Sequence, residues 1–283
     1  MRQRDRGIPF VIPSLIFISL VTLFPGIYVL YLSFFRKLPI FGITRFAGLD
    51  NYLFLFRDDR FWNALWNTVY FTACSVSLEL VVGLAVALLL NRSFPLRGLV
   101  RAVVLIPWAI PTVVSAKMWE WMYNTDFGVF NYLLGADVNW LGNPSWALNA
   151  AVFMDVWKTT PFVAILLMAG LQVIPGELYQ AARVDGAGDW NILRRITLPL
   201  LMPVVLVVLV FRTLDAFRIF DAVYVLTGGG PANTTETLSV YAYKVLFQTL
   251  QFGYGSSLAV VVFLCVGLIG VFYISLLRRG MTA

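Results

Sequence analysis

Long apolar runs separated by short polar stretches occupy most of the chain. Six can be drawn, over residues 8–34, 67–90, 102–123, 147–172, 203–226 and 253–277. Each is at or above the ~20 residues that a helix needs to cross a bilayer. Within hydrocarbon the backbone must satisfy its own hydrogen bonds, so runs of this kind become helices. No loop between them is long enough for a separate soluble domain. The pattern predicts an all-α, polytopic membrane protein with about six transmembrane helices, forming one domain over 1–283. The first run follows Arg2, Arg4 and Arg6 as a signal peptide would. It is longer than the ~7–15-residue core of such a peptide and ends in Tyr31–Phe35, without a small-residue cleavage site, so it is predicted to stay as a helix.

Composition agrees, with 60% apolar and 13% charged residues and a mean hydropathy of +0.81. The net charge of +6 does not mark a nucleic-acid binder, because the cations gather at the ends of the apolar runs. With the N-terminus in the cytoplasm, Arg2, Arg4, Arg6, Arg92, Arg97, Arg101, Arg183, Arg194, Arg195, Arg278 and Arg279 lie inside. Arg36, Lys37, Arg45, Arg57, Arg60 and Lys244 lie outside, so the excess places both termini in the cytoplasm. There is no histidine, and no metal site is expected. Cys74 and Cys265 each sit in an apolar run and read as buried thiols rather than a disulfide. The outer loop, with Tyr52, Phe61, Trp62 and Trp66, fits an interfacial amphipathic segment or an ordinary aromatic belt equally well.

The loop over 173–200 differs from the others. Pro175 opens a helix, and Glu177 in its first turn complements the helix dipole. Ala181 and Ala182 keep the helix surface flat, and Gly186 and Gly188 allow a sharp turn. A second short helix rich in Arg then leads to Pro199, giving a helix–turn–helix knuckle on the cytoplasmic side. Spacing alone also fits an amphipathic loop with basic anchors. Gly228–Gly230 does not form a phosphate loop, because Pro231 stands where Lys and Ser or Thr would be needed. No Walker motif occurs anywhere, so the chain cannot hydrolyse ATP by itself.

Charged residues fall at i,i+3 spacing as Lys117/Glu120, Asp155/Lys158, Arg212/Asp215 and Arg218/Asp221, and Glu79 stands alone in the second run. An uncompensated charge at mid-bilayer costs about 2.5–3.5 kcal/mol on insertion scales, so these residues need partners or a cavity. Self-neutralising pairs that stiffen the bundle are one reading; the other is a polar lining. Asp155, Lys158, Thr159 and Phe162 share one helix face, and Arg212, Asp215, Ala216 and Ile219 share another.

The order Ala181-Ala182, Gly186, then Ile196-x-Leu198-Pro199 resembles the coupling-loop signature of bacterial ABC importer membrane subunits. Ile106-Pro107-Trp108-Ala109-Ile110-Pro111, Phe220-Asp221-x-x-Tyr224-x-Leu226-Thr227-Gly228-Gly229-Gly230-Pro231, Asp50-Asn51-Tyr52 and Asn67-Thr68 resemble its sugar-permease branch. Trp157–Phe162 and Phe211–Arg218 are most similar to its maltose/trehalose group. The resemblance implies a type I-like importer fold in a bacterial or archaeal inner membrane. It implies that Glu177, Tyr179, Gln180, Ala181, Ala182, Asp185 and Gly186 dock on an ATPase subunit. Gln180 replaces the family's usual Glu, which weakens a charge-assisted contact to a neutral one. It further implies that Trp108, Thr112, Asp155, Lys158, Thr159, Phe162, Arg212, Asp215, Ala216 and Ile219 contact an α-linked disaccharide.

The partners so implied are a second homologous permease, two ATPase subunits that carry ATP and Mg, an extracellular sugar-binding protein and membrane lipid, with no nucleic acid and no cofactor on this chain. A permease for glycerol phosphate or an oligosaccharide is the nearest alternative. A proton-coupled transporter using Glu79 and Asp215 leaves the knuckle unexplained, and no nucleophile or metal cluster supports an enzyme.

Overall fold

The computed structural model describes residues 8–282, so the orientation argument from Arg2, Arg4 and Arg6 lies outside the described residues. Helix α1 (Ile8–Ser33) leads into an antiparallel hairpin, β1 (Phe35–Leu38) and β2 (Ile43–Phe46), and then α2 (Asp50–Arg57). The chain continues through α3 (Asp59–Asn91), α4 (Arg97–Ala109), α5 (Thr112–Met122), α6 (Val129–Leu134) and α7 (Pro144–Val173). After α8 (Gly176–Val184) come α9 (Asp189–Ile192), α10 (Leu198–Ala216), α11 (Asp221–Thr227), α12 (Leu238–Tyr243) and α13 (Phe252–Thr282).

Among the described residues, five helices are long and apolar enough to cross a bilayer: Val11–Ser33, Asp59–Asn91, Pro144–Val173, Asp189–Ala216 and Phe252–Leu276. The third expected span is broken, because α4 and α5 meet at a bend of 93°. Pro111 explains the break: its ring disfavours helical geometry at Ile110, which is extended at φ −74°, ψ 134°. Counting the bent pair as one span gives six.

The fifth span is displaced from the expected 203–226. It starts at Asp189, ends at Ala216 and is separate from α11. A π-helical turn at Leu193–Thr197 carries the helix through Arg194 and Arg195. That wider turn accommodates Pro199, which has no N–H for the helix ladder. The second short helix of the knuckle is therefore the beginning of a long one.

By contact density the chain forms two units. One comprises the described residues up to Trp62 together with Tyr241–Leu264. Here Asn51 Nδ2 donates to the carbonyls of Ser33 (2.7 Å) and Phe35 (3.0 Å), tying α2 to the end of α1. The Tyr52 hydroxyl pairs with Ser33 Oγ at 2.6 Å. Asp58 Oδ2 accepts from both the Tyr241 and Tyr254 hydroxyls at 2.5 Å each. Burial first, and the bond to Asp58 second, push the Tyr241 hydroxyl well above the ordinary phenol range. A Cβ on Gly253 would lie 1.9 Å from the Phe35 carbonyl oxygen, so only glycine fits there.

The other unit comprises Asn63–Val240 and the residues from Cys265 onward. Of the five long helices, α7 is the most enclosed. Small residues let helix backbones approach one another: Gly83 on α3 faces Val163 on α7, and Gly170 on α7 faces Leu201 and Val204 on α10. Phe71, Trp119, Met154, Ala216, Val223 and Leu226 form part of its core. Asn67 Nδ2 donates to the Glu236 carbonyl at 3.1 Å, and Thr68 Oγ1 accepts from the Leu238 backbone N–H at 2.9 Å. The Asn67-Thr68 pair thus fastens α3 to the start of α12 and the residues just before it. The two cysteines are free, and each is half-buried.

Candidate functional site

A cavity of about 860 Å³ opens in the second unit. Trp108, Thr112, Asp155, Lys158, Thr159, Phe162, Arg212, Asp215 and Ile219 all line it. Ala216 does not; it is buried in the adjoining core. Phe211, Leu214, Arg218, Phe220, Asp221 and Val266 complete the wall; Arg218 and Asp221 were noted as a charged pair, but none of the six was assigned to substrate contact from the sequence. The bend between α4 and α5 puts Trp108 and Thr112 on either side of the break. Trp108 stacks on Phe162 with ring centroids 5.8 Å apart and planes at 25°.

Arg212 pairs across helices as well as along its own. Arg212 on α10 donates from Nε to Glu79 Oε2 (2.5 Å) and from Nη2 to Glu79 Oε1 (2.8 Å). The same Nη2 reaches Asp155 Oδ2 at 3.1 Å, and Nη1 reaches Asp215 Oδ2 at 2.6 Å. Thr159 Oγ1 adds a bond of 2.6 Å to Glu79 Oε1. Glu79 is therefore not alone. It is fully buried, with 0% of its surface exposed, and anchors the guanidinium behind the cavity wall.

Two expected pairs are corrected. Asp155 turns to Arg212, while Lys158 Nζ donates to the Ile110 carbonyl at 2.9 Å. Lys158 thereby satisfies an acceptor that the break at Pro111 releases from the helix ladder. Arg218 approaches Asp215 at 3.8 Å instead of pairing with Asp221. The Arg212/Asp215 and Lys117/Glu120 pairs form as their spacing suggests, each at 2.6 Å. The sequence signal for Glu79 was a lone carboxylate in an apolar run, which needs a cationic partner from another helix.

The knuckle occupies the other candidate region. Pro175 caps α8, Glu177 is in its first turn, and Gln180 and Ala181 are exposed. Ala182 and Tyr179 are half-buried, and Tyr179 accepts a long bond of 3.4 Å from Thr197. Asp185 ends the helix, and Gly186 takes φ +77°, the left-handed geometry that glycine tolerates best. Gly188 is extended at φ −69° and caps α9, so the turn depends on only one of the two glycines. Val184 and Trp190 stand out from it at 87% and 68% exposure. At 228–230 the glycines form a turn instead, in which Thr227 Oγ1 accepts from the Gly229 N–H at 3.2 Å.

Residues 79–283 match the family described as "Binding-protein-dependent transport system inner membrane component". The chain belongs to that family. It is a membrane-spanning permease of the ABC importer type, a transport subunit and not an enzyme. The permease is 44% identical to the trehalose/maltose transport system permease protein MalF of Thermococcus litoralis, covering 94% of this chain and 91% of that protein. It is 42% identical to the trehalose transport system permease protein SugA of Mycobacterium tuberculosis, covering 98% and 90% respectively. Among solved structures it superposes on a chain of a bacterial ABC transporter involved in import of the acidic polysaccharide alginate. That match has a TM-score of 0.85 at 25% identity, covering 96% of this permease and 94% of that chain.

Proposed function

We propose that the permease carries a neutral α-linked disaccharide of the trehalose or maltose type through the cavity of the second unit. The observation that carries this reading is the balance of charge in the lining. Lys158, Arg212 and Arg218 stand against Asp155, Asp215 and Asp221, beside an aromatic pair. Sugar hydroxyls both donate and accept, so a lining with both signs serves them, while an aromatic ring covers the apolar face of a pyranose. The lining has no excess of positive charge to hold the anions of an acidic saccharide or glycerol phosphate. The names of the similar trehalose and maltose permeases support the same substrate class. Trp108, Thr112, Asp155, Lys158, Thr159, Phe162, Arg212, Asp215 and Ile219 are assigned to substrate contact, with Ala216 a packing residue behind them.

In this reading residues 1–283 act as a single transmembrane permease domain with both termini in the cytoplasm. The segment 173–200 docks on an ATPase subunit through Glu177, Tyr179, Gln180, Ala181, Ala182, Asp185 and Gly186. The exposed Val184 and Trp190 give that contact an apolar centre. The full importer then holds a second homologous permease, two ATPase subunits with ATP and Mg, and an extracellular binding protein that delivers the sugar. The test is uptake by the reconstituted importer, offered labelled trehalose, maltose, glycerol phosphate and alginate oligosaccharide. ATP-dependent accumulation of a disaccharide is expected; accumulation of the anionic solutes alone would overturn the substrate assignment, and uptake driven by a proton gradient without ATPase subunits would overturn the importer assignment.

A further inference from the structure

The first unit has a hollow of its own, of about 270 Å³, between the hairpin, α2 and the start of α13. Its polar lining includes Arg36, Lys37, Arg45, Asn51, Gln251 and Tyr254. Three basic residues line it beside one acidic residue, Asp50. Arg36 and Arg45 are direct cross-strand partners in the β1–β2 register, so their side chains emerge from the same face of the ribbon. Like charges placed directly opposite one another destabilise a strand pair. Neither guanidinium has an ion pair or hydrogen bond among the described residues. A small ribbon that sets two arginines side by side in a hollow has the layout of an anion site, because the arginine fork suits phosphate oxygens.

Depth along the chain says which anion. The α1 span ends at Ser33, so Arg36 follows the hydrocarbon crossing by three residues. Aromatic rings mark the same boundary. Tyr28 and Tyr31 near the end of α1 lie 6.5 Å apart, Tyr31 lies 4.5 Å from Phe35, and Phe35 lies 5.4 Å from Phe46 of β2. Tyrosines and other aromatics collect at the level of lipid headgroups, and cations just beyond them. The Lys37 ammonium lies 5.9 Å from the centre of the Tyr28 ring, which ties the two layers together. At the hairpin turn, Ile40 and Phe41 are exposed, as apolar residues are when they dip into an interface. We propose that this hollow binds the phosphate headgroup of an anionic phospholipid, clasped by Arg36 and Arg45, and so fixes the hairpin and α2 at the membrane surface.

The test reconstitutes the full-length chain, with any subunits that copurify, in nanodiscs of phosphatidylcholine containing a minor fraction of phosphatidylglycerol. Lipid retained after detergent extraction is read by native mass spectrometry. The wild type is expected to retain phosphatidylglycerol over phosphatidylcholine. The double variant Arg36→Gln/Arg45→Gln should lose that preference about tenfold or more, as two fewer cations at an anionic surface imply. Arg36→Lys/Arg45→Lys should keep part of it, and Arg57→Gln, outside the hollow, should keep all of it. Equal retention of both lipids by the wild type would overturn the proposal even if the double variant failed to fold. So would displacement of the retained phosphatidylglycerol by glycerol phosphate in solution. A double variant that kept phosphatidylglycerol but lost binding of an acidic soluble protein would reassign the hollow to that protein.

Discussion

Arg212 is the residue whose removal tests the charge network most sharply. Arg212→Gln deletes the group that binds Glu79 twice and Asp155 once, leaving two carboxylates that are only 0% and 4% exposed. Asp215, with a side chain 63% exposed, can turn to water and adds little. Breaking a buried ion pair by removing one partner costs about 3–5 kcal/mol. In a chain of this length each kcal/mol moves Tm by about 2–4 °C, so a fall on the order of 10 °C is expected. The triple variant Glu79→Gln/Asp155→Asn/Arg212→Gln keeps the shape of the two acids and leaves no buried charge without a partner. It should recover much of the lost stability, because the largest cost of the single variant is the uncompensated buried charge, which the triple variant removes. The assay is thermal unfolding in detergent, followed by size-exclusion chromatography and tryptophan fluorescence. A single variant with wild-type Tm would refute the network, and a triple variant as unstable as the single would refute orphaned charge as its basis.

Gly186→Val should abolish coupled uptake while leaving insertion intact, since φ +77° costs a β-branched residue roughly 1–2 kcal/mol and nothing else crowds the site; Gly188→Ala, at φ −69°, should transport normally, and equal effects from both would sink the turn geometry. Gly83→Leu should lower Tm, because even its Cβ would meet Val163 Cγ1 at 2.6 Å; overpacking of this kind costs about 1–3 kcal/mol, and an unchanged Tm would show that α3 and α7 are not in close contact. Lys158→Met should reduce uptake with assembly retained, through the lost bond to the Ile110 carbonyl at the α4–α5 bend; normal uptake and sugar preference would remove Lys158 from the site.

Much of this was legible in the sequence, and the misses have physical causes. Run length located the long helices because the bilayer imposes it, and the lining faces on α7 and α10 followed from helical periodicity. Ala216 failed because a face drawn by periodicity is wider than the strip that reaches the cavity. The partners of Glu79 could not be read from spacing, since Arg212 lies 133 residues further on and meets it only through the packing of α3 against its neighbours. Asp155 and Lys158 at i,i+3 looked like a pair, but the Arg212 guanidinium on α10 takes Asp155, and the carbonyl left free at Ile110, between α4 and α5, takes Lys158. The break at Ile110 was signalled by Pro111, yet Pro107 three residues inside α4 leaves that helix intact, so proline alone does not say which one bends the chain. The hairpin was hidden because Phe35–Phe46 lacks the alternation of polar and apolar residues that marks a half-buried strand pair.

The central claim is that the cavity beside Trp108 holds the sugar in transit. Uptake of labelled disaccharide by the complete importer carrying Trp108→Ala tests it most directly, with ATP hydrolysis stimulated by the loaded binding protein measured in the same vesicles. The expected result is a large loss of uptake, or a change in which disaccharide is carried, with assembly and stimulated hydrolysis retained; uptake and sugar preference equal to wild type would contradict it.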